Sequence, residues 1–360
     1  MSAHPRKAPS GAAGRGGDAA GSGVSTGAAA GIDAAAGTCG ASFVSALSAP
    51  VVCVVGPTAT GKSALAQEIA CRLGGEVVSA DSMQVYRGMD IGTGKVPPAD
   101  RRVPHHGLDL VDPGEAYSAA LFQRHARQCF SAIDARGARS VLAGGTGLYV
   151  RAAIDAYAFP EGEQVENPVR AQWGAFAEEH GAEALWEALR GRDPESAAEL
   201  HPHNVRRVVR AFELLEAGTS YAEQHRHLAA IEQAVPARFF GLAMDPARLA
   251  RRIDARVDEM FTAGLVEEVE GLLKRGFRDG ITAPQAIGYK EVVAALDGQA
   301  TMDEARAAIK QATRRYAKRQ RTWFRKDARI AWLQADGRDA QSLADEACAL
   351  LAAGDAARRP

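Results

Sequence analysis

The feature that most constrains this chain is a short glycine-bounded loop between a strand pattern and a helix pattern. Residues 51–55 form the run Val-Val-Cys-Val-Val, which is typical of a buried parallel strand. The next eight residues, 56–63, read G-P-T-A-T-G-K-S and fit G-x-x-x-x-G-K-[ST]. Leu65, Ile69 and Leu73 then recur at helical spacing. A strand, this loop and a helix, in that order, predict a site for a phosphate group.

The residue types of the loop explain its chemistry. Glycines let successive backbone N–H groups converge on phosphate oxygens, and the N-terminus of the helix adds its positive dipole. Lys62 can neutralise phosphate charge, and the Ser63 hydroxyl can bind Mg²⁺, so Ser63 is the predicted metal ligand. The alternative is an ordinary glycine-rich turn, and the loop does not identify its phosphate ester. The predicted phosphate-binding residues are Gly56, Pro57, Thr58, Ala59, Thr60, Gly61, Lys62 and Ser63.

Strand and helix patterns alternate in the rest of the chain, which predicts an α/β fold with a doubly wound parallel sheet. Between residues 159 and 235 the strand signal disappears, and apolar residues recur at helical intervals. We therefore expect a P-loop NTPase-like core with a helical insertion and a C-terminal helical region. The predicted parts are a disordered tail at 1–48, the core at 49–158 and 236–330, the insertion at 159–235, and a C-terminal tail segment at 331–360.

The composition narrows the class of protein. With 43 Lys and Arg against 44 Asp and Glu, the net charge is −1, which does not favour a partner held by bulk electrostatics alone. The sequence has 46% hydrophobic residues, enough for a core, and residues 1–48 are rich in Gly, Ala and Ser. No apolar run reaches the length of a membrane span, so we expect a soluble protein of the cytoplasm without a membrane partner.

Two further polar positions follow predicted strands. Asp81 follows the strand predicted at 76–80, and Thr146 follows two glycines after the strand predicted at 139–143. In open α/β sheets the carboxyl ends of the strands form the ligand crevice, so both residues should face the phosphate loop. A helix cap or turn is the alternative role for Asp81.

A basic segment near the C-terminus predicts a nucleic-acid partner. Its cations lie within about four helical turns and alternate with Tyr316, Trp323 and Phe324, which can stack on bases or pack the core. A solvated amphipathic helix is the alternative. Such clustering reconciles a near-neutral chain with an RNA ligand. The cations are Arg314, Arg315, Lys318, Arg319, Arg321, Arg325 and Lys326.

Five motifs, in this order, resemble those of the tRNA dimethylallyltransferases, also called tRNA isopentenyltransferases. They are G-P-T-A-T-G-K-S at 56–63, D-S-M-Q-V-Y-R-G-M-D-I-G-T at 81–93, P-H-H-G-L-D-L-V-D-P at 104–113, G-G-T-G-L-Y at 144–149 and K-R-Q-R-T-W-F-R at 318–325. The resemblance spans about residues 50–326. Only Cys348 lies beyond residue 130, so the zinc-finger cysteines of eukaryotic members are missing and the bacterial type is expected.

The resemblance implies a reaction. The loop would hold the diphosphate of dimethylallyl diphosphate rather than ATP, the nucleotide usually associated with such loops. The dimethylallyl group would pass to N6 of adenosine 37, next to the tRNA anticodon, with that base flipped into a channel. Mg²⁺ is the implied cofactor, and a monomer is expected. The implied catalytic residues are Asp81 as general base, Thr146 at the adenosine, and Lys62 and Arg256 on the diphosphate side.

The family's tRNA-contact regions map onto several segments of this chain. The residues that the resemblance assigns to tRNA contact are Asp81, Ser82, Met83, Gln84, Thr146, Arg170, Arg206, Arg207, Val208, Val209, Arg210, Ala286, Ile287, Gly288, Tyr289, Lys290, Glu291, Lys318, Arg319, Gln320, Arg321, Thr322, Trp323, Phe324 and Arg325. Three alternatives remain open from the sequence: a small-molecule P-loop kinase, a prenyltransferase acting on free adenylate, and a non-catalytic RNA-binding protein that keeps the loop.

Overall fold

The computed structural model describes residues 47–157, 159, 167–229 and 231–356, and a six-stranded parallel sheet lies at the centre of this part. The predicted tail at 1–48 falls almost wholly outside the described residues. The strand order is β3-β2-β4-β1-β5-β6, and every neighbouring pair is parallel. The strands are β1 (Val51–Val55), β2 (Gly75–Ser79), β3 (His105–His106), β4 (Arg139–Gly144), β5 (Ala237–Ala243) and β6 (Ile330–Gln334).

Helices cover the sheet and fill the connections between its strands. None of the described helices is both long enough and apolar enough to cross a membrane. The helices are α1 (Lys62–Leu73), α2 (Ala119–Ala135), α3 (Gly147–Ile154), α4 (Pro168–Arg192), α5 (Pro194–Glu199), α6 (Val205–Glu216), α7 (Tyr221–Ala229), α8 (Pro246–Thr262), α9 (Leu265–Leu273), α10 (Tyr289–Leu296), α11 (Met302–Phe324) and α12 (Ala340–Ala356).

The central strand β1 shows why the sheet is covered on both faces. All five of its residues are buried, and they alternate between two hydrophobic cores because successive strand side chains point to opposite faces. Val52 and Val54 pack with Leu65 of α1, while Cys53 packs with Phe122 of α2. The α/β fold with a doubly wound parallel sheet is confirmed.

The segment predicted as a helical insertion contains α4 to α7. These helices have a hydrophobic core of their own, which includes Leu185 and Phe212. Two neighbouring segments of the chain connect the insertion to the core. The Ala156 N–H donates to the Glu232 carbonyl at 2.9 Å, and the Val235 N–H donates to the Ile154 carbonyl at 2.9 Å.

The C-terminal boundary differs from the sequence prediction. Residues 331–360 were expected as a tail segment, but β6 pairs with β5 along its whole length, and α12 packs against α1. Leu333 of β6 is fully buried. The segment 330–356 therefore completes the sheet and one of its two hydrophobic cores. In addition, α8 and α9 are separated at Gly264, whose φ is +100°.

Candidate active site

Three loops meet at one edge of the sheet, because the strands that precede them are neighbours in the order β2-β4-β1. The phosphate loop follows β1, Asp81 follows β2, and Gly145 and Thr146 follow β4. A pocket at this edge is lined by Lys62 and Ser63 from the first loop, Asp81 from the second and Gly144 at the end of β4. The structure thus brings together the charged and hydroxyl groups that the sequence predicted to be close.

The phosphate loop is held in place by its own hydrogen bonds. The Thr60 hydroxyl and the Lys62 ammonium both donate to the Pro57 carbonyl, at 2.8 and 2.7 Å. Gly56 has φ +139°, and a Cβ there would lie 3.0 Å from the Leu242 carbonyl oxygen, so no larger residue fits without strain. The loop runs into the N-terminus of α1, where the first N–H groups have no partner within the helix. These N–H groups can bind an anion.

Three charged side chains interact at this site. Burial lowers the pKa of Lys62 to about 8, the Asp81 carboxylate opposes that effect, and the Arg256 guanidinium adds to it. Burial also lowers the pKa of Arg256, while Asp81 and Glu259 raise it. Two cations and one carboxylate therefore share a poorly solvated pocket, which favours the binding of an additional anion.

Arg256 reaches the phosphate loop from α8. Its guanidinium lies 3.5 Å from the Thr58 hydroxyl and donates to the Thr93 carbonyl at 3.3 Å. A Cβ on Gly94 would lie 1.9 Å from the guanidinium, so this glycine leaves the space that Arg256 occupies. The structure thus places Arg256 beside the phosphate loop, at Thr58.

Asp81 and Thr146 are oriented by the turn that follows β2. One carboxylate oxygen of Asp81 accepts a hydrogen bond from the Met83 N–H at 2.9 Å. The Thr146 hydroxyl accepts from the Ser82 N–H at 3.0 Å. Asp81 therefore stabilises a turn, as the alternative interpretation proposed, and its carboxylate also lines the pocket.

The loop at residues 90–95 forms one wall near Arg256, and Glu268 of α9 holds it. The Glu268 carboxylate accepts from the Ile91 N–H at 2.8 Å and the Gly92 N–H at 3.2 Å. It also accepts from the Tyr289 hydroxyl at 2.6 Å. Nothing in the local sequence around Glu268 signalled this role, because its partners are distant in the chain.

The donor set suits Mg²⁺ bound mostly by substrate oxygens and water. Ser63 is exposed, its hydroxyl makes no hydrogen bond within the described part of the chain, and it shares the pocket with Asp81. Hard oxygen donors of this kind are the ligands that Mg²⁺ takes. Among the described residues, no group of three or more His, Cys, Asp or Glu side chains could hold a metal alone. The protein side thus fits a metal that arrives with a diphosphate.

Two residues of α11 reach the site. Sequence analysis assigned Gln320 to tRNA contact and Tyr316 to base stacking or core packing, and placed neither of them beside the phosphate loop. The Tyr316 hydroxyl interacts with the side chains of Thr146 and Gln320, and burial together with the Asp81 carboxylate raises the pKa of Tyr316 to about 12. Gln320 is buried and hydrogen-bonds to two of the loops. The available signal was their i, i+4 spacing on the uncharged side of an otherwise basic helix.

The residues predicted to contact tRNA differ in exposure. The prediction assigns whole segments, and within them some side chains are exposed while others are buried in this chain. The exposed members are Arg206, Arg207, Lys290, Lys318, Arg319, Thr322, Trp323 and Arg325. The partly exposed members are Asp81, Ser82, Met83, Gln84, Thr146, Arg170, Arg210, Ile287, Glu291 and Arg321. The buried members are Val208, Val209, Ala286, Gly288, Tyr289, Gln320 and Phe324.

Two of the partly exposed arginines have a partner within the insertion. Arg170 donates to the Glu213 carboxylate at 2.6 Å, and Arg210 donates to its other oxygen at 2.6 Å. Although burial acts in the opposite direction, the two guanidinium groups lower the pKa of Glu213. A buried carboxylate between two arginines fixes α4 to α6, so these cations serve the insertion's own structure as well as any ligand.

The outer side of α11 forms an open, basic groove. Trp323 is 44% exposed in the midst of the cations, so an aromatic face is available beside positive charge. This combination is typical of surfaces that bind single-stranded nucleic acid, where a base stacks on the ring and cations contact the backbone. The groove is lined by Arg315, Lys318, Arg319, Thr322, Trp323 and Lys326.

Comparison with known proteins gives concordant results. Residues 84–327 match the family model described as IPP transferase, and residues 49–103 match that described as isopentenyl transferase. A tRNA dimethylallyltransferase of Geobacillus thermodenitrificans is 49% identical over 288 residues, covering 78% of this chain and 89% of that protein.

Two solved structures have similar folds. The full-length tRNA isopentenylpyrophosphate transferase of Bacillus halodurans superposes with a TM-score of 0.62 at 40% identity, covering 84% of this chain and 97% of that one. A eukaryotic dimethylallyltransferase, described as acting on tRNA, superposes with a TM-score of 0.70 at 27% identity, covering 87% and 81%.

Proposed function

Because this chain belongs to the IPP transferase family, we propose that it transfers a dimethylallyl group from dimethylallyl diphosphate to N6 of adenosine 37 in tRNA. The observation that carries the proposal is the meeting of the phosphate loop with Asp81 in one pocket, with the Thr146 hydroxyl hydrogen-bonded to the turn that follows Asp81, beside a basic helix. The phosphate loop suits a diphosphate, whereas Asp81 and Thr146 suit a purine. The products are N6-(dimethylallyl)adenosine and diphosphate.

Asp81 acts as the general base. The exocyclic amine of adenine is a weak nucleophile because its lone pair is delocalised into the ring. As the bond from N6 to the allylic carbon forms, a carboxylate oxygen of Asp81 takes the proton that N6 loses. The Thr146 hydroxyl and the turn at Ser82 keep the adenine ring and the Asp81 carboxylate aligned with each other.

The phosphate loop stabilises the leaving group. When the allylic C–O bond breaks, negative charge builds up on the diphosphate oxygens, and the N–H groups at the start of α1, Lys62 and Arg256 surround that position. The Ser63 hydroxyl would hold Mg²⁺, which would supply further charge neutralisation. No phosphoryl group is transferred.

The target base must leave its stack to reach this pocket. A purine inside a folded anticodon loop cannot approach a diphosphate at the bottom of a crevice, so adenosine 37 is flipped outward. The basic groove of α11 and the exposed Arg206 and Arg207 of α6 then hold the surrounding RNA backbone. We further propose that the protein acts in the cytoplasm. We also propose that it is a monomer, which light scattering of the purified protein would test.

Nucleoside mass spectrometry tests the proposed reaction. Unmodified tRNA is incubated with the protein, Mg²⁺ and dimethylallyl diphosphate, then digested and analysed. We expect N6-(dimethylallyl)adenosine in tRNA whose anticodon loop carries adenosine 37, and none in a tRNA with guanosine at that position. Two parallel reactions test the alternatives. Prenylation of AMP with no product in tRNA would indicate the adenylate enzyme, and consumption of ATP with a small acceptor would indicate a kinase.

A further inference from the structure

Gln320 is a neutral residue among the cations of the last two turns of α11, and its carboxamide connects two loops of the candidate active site. Its oxygen accepts from the Thr58 N–H of the phosphate loop at 2.8 Å. Its NH₂ group donates to the Gly145 carbonyl at 2.9 Å. The side chain is 5% exposed, so both hydrogen bonds are shielded from water. A buried amide that satisfies two backbone groups is costly to replace.

The two hydrogen bonds require an amide in one orientation. One group must donate to the Gly145 carbonyl and another must accept from the Thr58 N–H, and the carboxamide of Gln offers both on neighbouring atoms at the end of a long side chain. Gly145 makes the approach possible, because a Cβ there would lie 2.2 Å from the Gln320 nitrogen. A carboxylate of the same length could accept from Thr58 but would repel the Gly145 carbonyl. The chemistry of this position therefore specifies glutamine.

The two loops that Gln320 connects serve different substrates in the proposed reaction. Thr58 belongs to the loop that holds the diphosphate, whereas Gly145 precedes Thr146 at the adenosine. The same turn of α11 exposes Lys318 and Arg319 to solvent. One helix thus presents cations on its outer side and contacts both loops on its inner side.

We infer that Gln320 is a positioning residue that sets the diphosphate in register with the adenine and makes diphosphate affinity depend on RNA bound at α11. The inference rests on the proposed function and extends it. RNA that immobilises α11 also immobilises Gln320 and, through it, the phosphate loop, so diphosphate then binds to a loop that is already ordered. Correct register matters for turnover, because a displacement of about 1 Å between reacting atoms can reduce the rate about 100-fold.

The test compares Gln320→Met with Gln311→Leu, a control at an exposed position of the same helix. Calorimetry measures the affinity for inorganic diphosphate with Mg²⁺, first with free protein and then with protein saturated by an unmodified anticodon stem-loop. For the wild type and the control we expect RNA to tighten diphosphate binding about tenfold. For Gln320→Met we expect a ratio near one, unchanged RNA affinity and a kcat about 10- to 100-fold lower.

Gln320→Glu provides a second, more conservative variant if Gln320→Met does not fold. It keeps the hydrogen bond from Thr58 and loses the one to Gly145, so the ratio should fall between those of the wild type and Gln320→Met. A Gln320 variant that folds and keeps the wild-type ratio and kcat overturns the inference, as does a wild type without coupling. These results differ from failure of the proposed function, in which the wild type itself yields no prenylated adenosine.

Discussion

At the scale of single residues, the two oxygens of Asp81 have different surroundings. One accepts the Met83 N–H, while the other makes no hydrogen bond among the described residues. The first fixes the side chain and the second can receive a proton. Structural and catalytic roles for this aspartate are therefore compatible, and a substitution can separate them.

Asp81→Asn keeps an oxygen that can accept from Met83 but removes the group that takes the proton. We expect kcat to fall by about 100- to 10,000-fold, the usual contribution of a general base. Affinity for an anticodon stem-loop should stay within about twofold, since the charge lost is not a cation that binds phosphate. Asp100→Asn, at an exposed aspartate, is the matched control. Full activity of Asp81→Asn would exclude the assigned role.

The lowered pKa of Lys62 predicts a pH dependence of diphosphate binding. With a pKa of about 8 in the unliganded protein, Lys62 is protonated at lower pH and neutral at higher pH. An anion binds the protonated form, so affinity should weaken by about three- to tenfold from pH 7.5 to pH 9. Lys62→Arg remains charged over this range and is the reference, because it cancels the ionisation of diphosphate itself. Parallel pH profiles for the two proteins would contradict the prediction.

At the scale of elements, β6 and α12 show where local patterns were insufficient. The run Ile-Ala-Trp-Leu-Gln of β6 buries Ile330 in one hydrophobic core and Leu333 in the other, three positions apart, so it shows no regular alternation of buried and exposed residues. The structure of this segment depends on partners that are distant in the sequence. β6 pairs with the edge of β5, and α12 packs against an apolar side of α1. The two-residue strand β3 is likewise defined by its pairing with β2 alone.

Leu333→Ala tests the contribution of β6 to stability. Leu333 is fully buried opposite Leu242, so its truncation should leave a cavity and lower the free energy of unfolding by about 2–5 kcal/mol. Gln334→Ala, at the adjacent exposed position, should change it by less than about 0.5 kcal/mol. Urea unfolding followed by circular dichroism measures both. Equal midpoints would mean that the segment contributes little to the core.

At the scale of the whole molecule, a net charge of −1 is compatible with an RNA partner because the charge is unevenly distributed. Cations concentrate on α11 and at Arg206 and Arg207, while many acidic side chains are used in internal pairs such as that of Glu213. RNA affinity should therefore depend on a few local cations.

Arg207→Ala is expected to weaken binding of tRNA about three- to tenfold at low salt and to reduce the slope of log affinity against log salt by about one. Diphosphate affinity should not change. Arg226→Ala is the control in the same insertion, because Arg226 is already paired with Glu195 at 3.0 Å. Filter binding at several salt concentrations gives both slopes. An unchanged tRNA dissociation constant for Arg207→Ala would remove this residue from the RNA-binding surface.

The loops at the strand ends were predictable from sequence because each is defined by residues that are close together in the chain. A β-branched run followed by G-x-x-x-x-G-K-S specifies a buried strand, a turn and a helix within about 20 residues. Contacts between distant positions leave no such local signal. Thr58 and Gln320 are separated by 262 residues, and the three N–H groups that bind Glu268 belong to a loop more than 170 residues away. Buried helix positions such as Val208 were included in the predicted contact because a basic segment was taken as a whole.

The paired chain ends at the base of the insertion have a consequence for changes in its length. Because Ile154 and Val235 are hydrogen-bonded neighbours, the insertion between them begins and ends at one place on the core. Lengthening such an excursion adds only slowly to the entropy of closing it, about 0.6 kcal/mol per doubling. A change in the length of the insertion should therefore cost little free energy of closure and leave the sheet and the phosphate loop in place.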